Sequence, residues 1–202
     1  MKTIKNIYIF TDCVDIAFNE LHATLIQALP DAKLTQIQIS PMIPVQAFSV
    51  INASFAIRSI ADMVSHSQSL FVVVVNGVNS NPARIFGQTQ SGLTFVGNNS
   101  GYFNWLFEDF GLESLYKNHT NRNVNGKSFG GRHVQIPTAI NLLKAQDWSP
   151  FGEKVDSSFV SSFTIPYGTV VHIDNFGLSK IKAPALNQLL PGDKLKLTIH
   201  GK

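Results

Sequence analysis

The sequence predicts an α/β fold: a mainly parallel sheet in an N-terminal domain over residues 1–150, then a small antiparallel β domain over residues 160–202. Three observations carry this. Strand and helix patterns alternate through the first 75 residues, which is the order that builds parallel sheets with helices on their faces. The run Ser69 to Val75 is continuously apolar after its first residue, as in a strand covered on both sides. From Phe163 onward the pattern changes to polar–apolar alternation, with turn residues between. The boundary is placed within 148–162, where Ser, Gly and Pro are frequent.

The elements follow in order. Ile7 to Phe10 reads as a buried strand that ends at Thr11-Asp12. Polar residues at the end of such a strand are typical of α/β ligand sites. Ile16, Leu21, Leu25, Ile26 and Leu29 stand at helical spacings, so a helix is predicted from about Ile16 to Leu29, stopped by Pro30-Asp31. Leu34 to Ile39 alternates as a second strand, and Pro41 and Pro44 then require extended backbone. A second helix is predicted from about Phe48 to Met63. After the Ser69–Val75 strand comes the loop Asn76 to Pro82. Ile85–Gly87 and Leu93–Gly97 read as a hairpin, and Gly101 to Phe110 as a short aromatic-rich helix. Asn118 to Lys127 reads as a polar loop and Gln135 to Leu143 as a further helix. In the last part, Gly168 to Ile173 and Lys194 to Ile199 alternate as antiparallel strands.

Composition narrows the partners. Of 202 residues, 44% are hydrophobic, which is globular, and only 14% are charged. So low a charge density suits a surface partly covered by other subunits, and a homo-oligomer is expected. The net charge is +3, with Lys and Arg unclustered, so no basic stripe marks a nucleic-acid partner. The N-terminal apolar run, Ile7 to Phe10, is too short for a signal or a membrane span. Cys13 is the single cysteine, which excludes an internal disulfide and fits a reducing, cytoplasmic compartment. A small-molecule ligand is the reading that remains.

Common site signatures are absent. No GxGxxG, P-loop or GxSxG pattern occurs, and the six histidines show no HExxH spacing. With one cysteine, no metal site is expected. His119 and His133 flank the polar loop as possible acid–base groups, and Asp12 with Asp15 forms a possible carboxylate pair. Helix capping by Asp15 is an equal reading.

Several segments, taken together, resemble the S-adenosylmethionine hydroxide adenosyltransferase family, related to the fluorinases and chlorinases. Thr11-Asp12-Cys13-Val14-Asp15 resembles its TDFG…D motif. Gln38 to Pro44 resembles DITHEIP, and Val74 to Asn79 resembles VVDPGVG. Val96 to Phe103 resembles VGPDNGLL, and Ser128 to Pro137 resembles TFHGRDIFAP. Ile173-Asp174-Asn175-Phe176-Gly177 resembles ID-x-FGN. The resemblance implies an α/β domain, a β-barrel-like C-terminal domain, and a homotrimer with its ligand site between subunits. It implies no cofactor, with S-adenosylmethionine or an adenosine-like molecule as substrate or ligand. The implied chemistry is attack of water or hydroxide on the 5′ carbon, releasing adenosine and methionine. A family Asp–Arg–His set positions the water.

That set is altered here. The family Asp falls on Asn76, and an amide cannot take a proton near neutral pH. The family Arg falls on Ala83, with Arg84 one position off. The family His falls on Gly130, with His133 three residues away. Gln38 and Pro41 replace the Asp and His of DITHEIP, Leu178 replaces the Asn after FG, and the chain ends before the relatives' C-terminal segment. The expected catalytic residues are therefore Asn76, Arg84 and Arg132. By resemblance, Asp12 accepts from the ribose hydroxyls, Gly131 and Arg132 lie near the reacting carbon, and Asp174 faces the methionine amino group. Asp15 and Ser100 complete the expected ligand-binding set. The competing expectation is a non-catalytic S-adenosylmethionine- or nucleoside-binding or assembly protein that kept the fold.

Overall fold

A computed structural model describes residues 4–29, 36–76, 82–119 and 129–183. The chain divides into two compact units, Met1–Thr164 and Ile165–Lys202.

The first unit is built on an eight-stranded mixed sheet. β1 is Asn6–Thr11, β2 Gln38–Ile39, β3 Ile43–Pro44 and β4 Ser69–Val74. β5 is Arg84–Gln88, β6 Thr94–Asn98, β7 Ser114–Asn118 and β8 Gly152–Lys154. The order is β2-β1-β4-β6-β5-β7-β8, with β3 also pairing with β1. Pairings among β1, β2, β3, β4 and β6 are parallel. Those of β6 with β5, β5 with β7 and β7 with β8 are antiparallel. The α/β class and the partly parallel sheet thus stand as the sequence predicts.

Side-chain alternation sends each central strand to two cores. Ile7, Ile9, Leu70, Val72 and Val74 pack with Leu21 and Leu25 of α1 (Ile16–Ala28) and with Ile136, Ala139 and Ile140 of α4 (Ile136–Lys144). Phe10, Phe71, Val73 and Phe95 face the other way, toward Ala53 and Ile57 of α2 (Val50–Ala61) and Leu106 of α3 (Asn104–Phe110). Every residue of β4 is buried, as its unbroken apolar run requires. Each such fully buried side chain contributes about 1.5–3 kcal/mol.

Local chemistry sets the helix ends. Asp15 caps α1 by accepting from Ala17 N–H at 2.9 Å, and Ser49 caps α2 through Asn52 N–H at 3.1 Å. Helix α4 is preceded by a π turn, Gly131–Gln135, in which Ile136 N–H donates to Gly131 O, five residues back. The predicted helix from Gln135 thus has an irregular first turn that periodicity does not reveal.

The antiparallel strands β7 and β8 are additions to the predicted elements. Ser-Leu-Tyr-Lys-Asn and Gly-Glu-Lys are short and polar, as suits strands at or near a sheet edge. β8 lies inside the stretch that the composition marked as the boundary. The predicted strand Leu34–Ile39 is seen as Gln38–Ile39, with residues 34–35 outside the described residues. Most of the polar loop Asn118–Lys127 and the whole strand Lys194–Ile199 also lie outside them.

In the second unit, β9 (Val170–Ile173) pairs antiparallel with β10 (Ser179–Ile181). β10 is a short strand that the sequence did not announce. Tyr167, Val170, Ile173, Phe176 and Leu178 are exposed in this unit. Among the described residues, no helix is long and apolar enough to cross a membrane.

Candidate functional site

The carboxyl ends of the parallel strands bring the first candidate residues together. β1 and β4 pair in parallel through Thr11 and Val74, so Asp12 and Asn76 emerge at one rim of the sheet. The Asp12 Oδ2 accepts from Asn76 N–H at 3.1 Å and from Phe48 N–H at 3.2 Å. One carboxylate oxygen thus joins three separate segments. Among the described residues, Oδ1 has no hydrogen-bond partner.

Phe48 sits at φ 58°, the one non-glycine residue with positive φ among the described residues. That conformation costs an L-residue about 1–2 kcal/mol, and the bond to Asp12 helps to hold it. Phe48 is also 60% exposed, so its ring stands in solvent beside the carboxylate. Val45 N–H donates to Thr11 O at 2.9 Å and ties the start of this loop to β1.

Arg84 opens β5 opposite Asn98 of β6. It is buried, with Nη1 donating to Pro82 O at 2.7 Å. It shares a face with Phe86, which packs into the α1 and α4 core, so its guanidinium reaches the π turn. There it meets Gly130: a Cβ on that residue would lie 2.8 Å from Arg84 Nη2. Glycine at 130 leaves the Arg84 side chain room.

Gly131 is held for a different reason. A Cβ there would lie 2.6 Å from Val74 Cγ1 and 2.8 Å from Leu21 Cδ2. The turn can approach β4 this closely only without a side chain.

Behind Arg84 runs a buried amide chain. Asn98 Nδ2 donates to Val75 O at 3.2 Å, and Gln135 Nε2 donates to Asn98 Oδ1 at 2.8 Å. Asn98 N–H donates to the Tyr102 hydroxyl. Burial pushes the Tyr102 phenol above the usual tyrosine range; the Asn98 amide and Arg84 oppose this and Asp12 adds to it. Gln135 Oε1 and the Ser100 hydroxyl are buried without a hydrogen-bond partner among the described residues. Such a group costs about 1–3 kcal/mol unless something bonds to it. Nearby, Asn99 acts as a peptide surrogate. Its Nδ2 donates to Phe159 O at 2.7 Å and its Oδ1 accepts from Ser161 N–H at 2.7 Å.

The remaining candidates have local partners. Asp15 caps α1. Arg132 is exposed on the π turn and pairs with Glu20 of α1 at 3.5 Å. In the second unit, Asp174 Oδ1 accepts from Phe176 N–H and Leu178 N–H, both at 2.9 Å, and closes the β9–β10 turn. The Leu178 amide foremost, then Phe176, Lys180 and His172, hold this carboxyl below its ordinary pKa. Cys13 lies next to Asp12; burial first, then Asp12 and Asp15, push its thiol pKa up, while its hydrogen bond with Thr11 lowers it.

Sequence reasoning missed Gln135. The available signal was a polar residue inside an apolar run, Val134-Gln135-Ile136, at the position where the resembled segment has Phe. Among the described residues, no three His, Cys, Asp or Glu side chains gather as metal ligands would. A cavity of about 870 Å³ lies at the other end of the parallel strands, lined by Ile4, Ile37, Thr94, Tyr116, Leu142 and Trp148, and contains none of the candidate residues.

Comparison with known proteins bears on this rim directly. The family model for the SAM hydroxide adenosyltransferase N-terminal domain matches residues 7–152. No match was found among curated proteins. An uncharacterized conserved protein from Thermotoga maritima superposes with a TM-score of 0.67 at 21% identity, over 87% of this chain and 70% of that one. A conserved hypothetical protein from Thermus thermophilus gives a TM-score of 0.67 at 16% identity, over 87% and 71%. At these identities the likeness is one of fold. The family match spans most of the first unit, with Asp12, Asn76, Arg84 and the π turn inside it, and the chain belongs to the SAM hydroxide adenosyltransferase family.

Proposed function

We propose that the chain binds S-adenosylmethionine, or a closely related adenosine derivative, at the Asp12–Asn76 rim and hydrolyses it to adenosine and methionine. The observation that carries this is the state of Asp12. Its Oδ2 is fixed by two backbone amides, and its Oδ1 is left for the vicinal hydroxyls of a ribose. Ser100 offers a hydroxyl to the ligand, and Gly131 keeps the π turn close to β4. Arg84 supplies a buried cation at the place that the family assigns to His, and Asn76 supplies an amide in place of the carboxylate.

The reaction needs little from these groups. Water oxygen bonds to C5′, the C5′–S bond breaks, and its electron pair stays on the methionine sulfur. The sulfonium is already a good leaving group. Alignment of the water and exclusion of competing water are then the main tasks. Arg132 and Asp15 belong to this reading only if ligand draws them from Glu20 and from the cap of α1. Asp174 belongs to it through a neighbouring subunit of a homotrimer, which light scattering tests.

The second reading is a protein that binds the nucleoside without turnover. Asn76 and Gly130 favour it, since neither can act as a base. Purified protein incubated with S-adenosylmethionine, with adenosine and methionine followed by chromatography, decides between the two. Turnover that is lost in Asp12→Ala supports hydrolysis. Binding by calorimetry with no adenosine above background supports the second reading, and neither heat nor product overturns both. Asp12→Ala is expected to weaken binding about tenfold or more, as loss of a charge-assisted hydrogen bond implies. Asp12→Asn keeps an acceptor for Phe48 and Asn76 and separates ligand loss from loop collapse.

A further inference from the structure

The turn between β5 and β6 lies at the amino end of the parallel strands, away from Asp12, and carries a relay of hydrogen bonds for which the reading above has no role. Leu93 N–H donates to Thr89 Oγ1 at 3.0 Å, Thr89 Oγ1 lies 2.8 Å from Ser91 Oγ, and Ser91 Oγ lies 2.6 Å from His66 Nδ1. His66 Nε2 lies 2.7 Å from the carbonyl oxygen of Ala61, the last residue of α2. The two ends of the relay fix its direction. A carbonyl oxygen can only accept, so the neutral imidazole carries its proton on Nε2 and turns the lone pair of Nδ1 to Ser91. The Ser91 hydroxyl therefore donates to Nδ1. At the other end the Leu93 amide can only donate, and Thr89 passes its own proton to Ser91 Oγ, its nearer acceptor, rather than to Leu93 O at 3.5 Å. The Phe110 ring packs edge-on against the imidazole, with centroids 4.6 Å apart and planes at 83°, and holds it in place. Thr89 is buried, whereas Ser91 is exposed to molecules in solution.

We propose that Ser91 is a second reactive site of this chain, a nucleophile that takes acyl groups from small activated esters. A hydroxyl bonded to a base, with the base oriented by a third group, is the arrangement that activates serine for acyl transfer. Here His66 is the base and Ala61 O orients it. As Ser91 Oγ bonds to the acyl carbon, its proton passes to His66 Nδ1. The bond from that carbon to the leaving oxygen breaks, and the leaving group departs with the electron pair. Thr89 O–H donates to Oγ while charge develops on it. The surroundings set the class of donor. Gly92 N–H is already held by Thr89 O, so it is not offered to the acyl oxygen. Esters with an acidic leaving group react without that help, whereas amides and simple alkyl esters depend on it. The site is independent of the hydrolase reading.

The test incubates the protein with p-nitrophenyl acetate at about pH 8, where an ordinary imidazole is neutral. Release of p-nitrophenolate gives the rate, and peptide mass spectrometry after acid quenching locates the acetyl groups. Ser91 is expected to react about tenfold or more faster than Ser65 and Ser67, which are also exposed. Ser91→Ala is expected to remove that fast release and to leave calorimetry with S-adenosylmethionine unchanged. His66→Asn keeps an acceptor beside Ser91 but cannot take its proton, and is expected to slow the Ser91 reaction about tenfold or more. Should His66→Asn fail to fold by circular dichroism, His66→Gln, which keeps a donor for Ala61 O, replaces it. A Ser91 reaction no faster than that of Ser65 and Ser67, or one unchanged in the His66 variant, overturns the proposal and leaves the relay as a lock on the turn. Neither result touches the Asp12 rim, whose reading stands or falls on its own binding and turnover assays.

Discussion

Arg84 and Gly130 exchange space, and that exchange can be measured. Gly130→His places a Cβ 2.8 Å from Arg84 Nη2. A new group forced into a filled site costs about 1–3 kcal/mol, so thermal denaturation of this variant is expected to begin several degrees lower. Arg84→Ala combined with Gly130→His is expected to be more stable than the sum of the single changes predicts, because the pair competes for one place. Additive effects would mean that the two residues are independent. Gly131→Ala is a second test at the same turn. Its Cβ meets Val74 and Leu21 of the core rather than the end of a flexible chain, and a loss of about 1–3 kcal/mol is expected in urea titration. Cys13 offers a chemical readout of the same rim. Its raised pKa leaves the thiol protonated at neutral pH, so alkylation is expected to be slower than for free cysteine at equal pH.

At the scale of elements, the aspartates at turns and caps carry the pH dependence. The carboxyls of Asp147, Asp156 and Asp174 are held below their ordinary value of 3.8, chiefly by the backbone amides of Ser149, Ser158 and Leu178 in turn. A folded-state pKa below the unfolded one stabilises the fold above the unfolded value. That stabilisation is lost as pH falls through the folded value. Stability should therefore be level above about pH 5 and decline below about pH 4. Denaturant midpoints across that range check the sign, and a midpoint that rises on acidification contradicts it. Much of this layer was legible in the sequence. The two helices with clear periodicity, α1 and α2, lie within two residues of their expected ends, because caps and period agree. Strand β4 was legible because nothing but a doubly covered strand explains its apolar run. The strands β7, β8 and β10 were not, since short polar edge strands have no apolar signature and form only when a neighbour offers a ladder. The π turn was equally silent. Its five-residue bond to Gly131 O depends on how closely two glycines let the backbone approach β4 and Arg84.

At the scale of the molecule, the parallel half of the sheet gathers the candidate site and the antiparallel half contributes Arg84 to it. Asp12 and Asn76 were legible as strand ends, and the structure joins them by a hydrogen bond. Gln135 was not, because its meaning lies in a bond to Asn98, 37 residues away. A homotrimer is a proposal here, motivated by the low charge of the sequence and the exposed apolar side chains of the second unit. A light-scattering mass of about three chains supports it, and a monomer at micromolar concentration contradicts it. The pairing of β1 with β4 has a consequence in time. The β5–β6 hairpin closes a short loop, whereas the Asp12–Asn76 contact joins residues 64 apart in sequence. Loop closure over such a distance is slower and costs more chain entropy. Amide exchange pulsed during refolding is expected to protect the β5–β6 ladder first and the amides of Phe48 and Asn76 late. Competence to hold a ligand would then be acquired at the end of folding, so a partly folded chain would sequester no nucleoside.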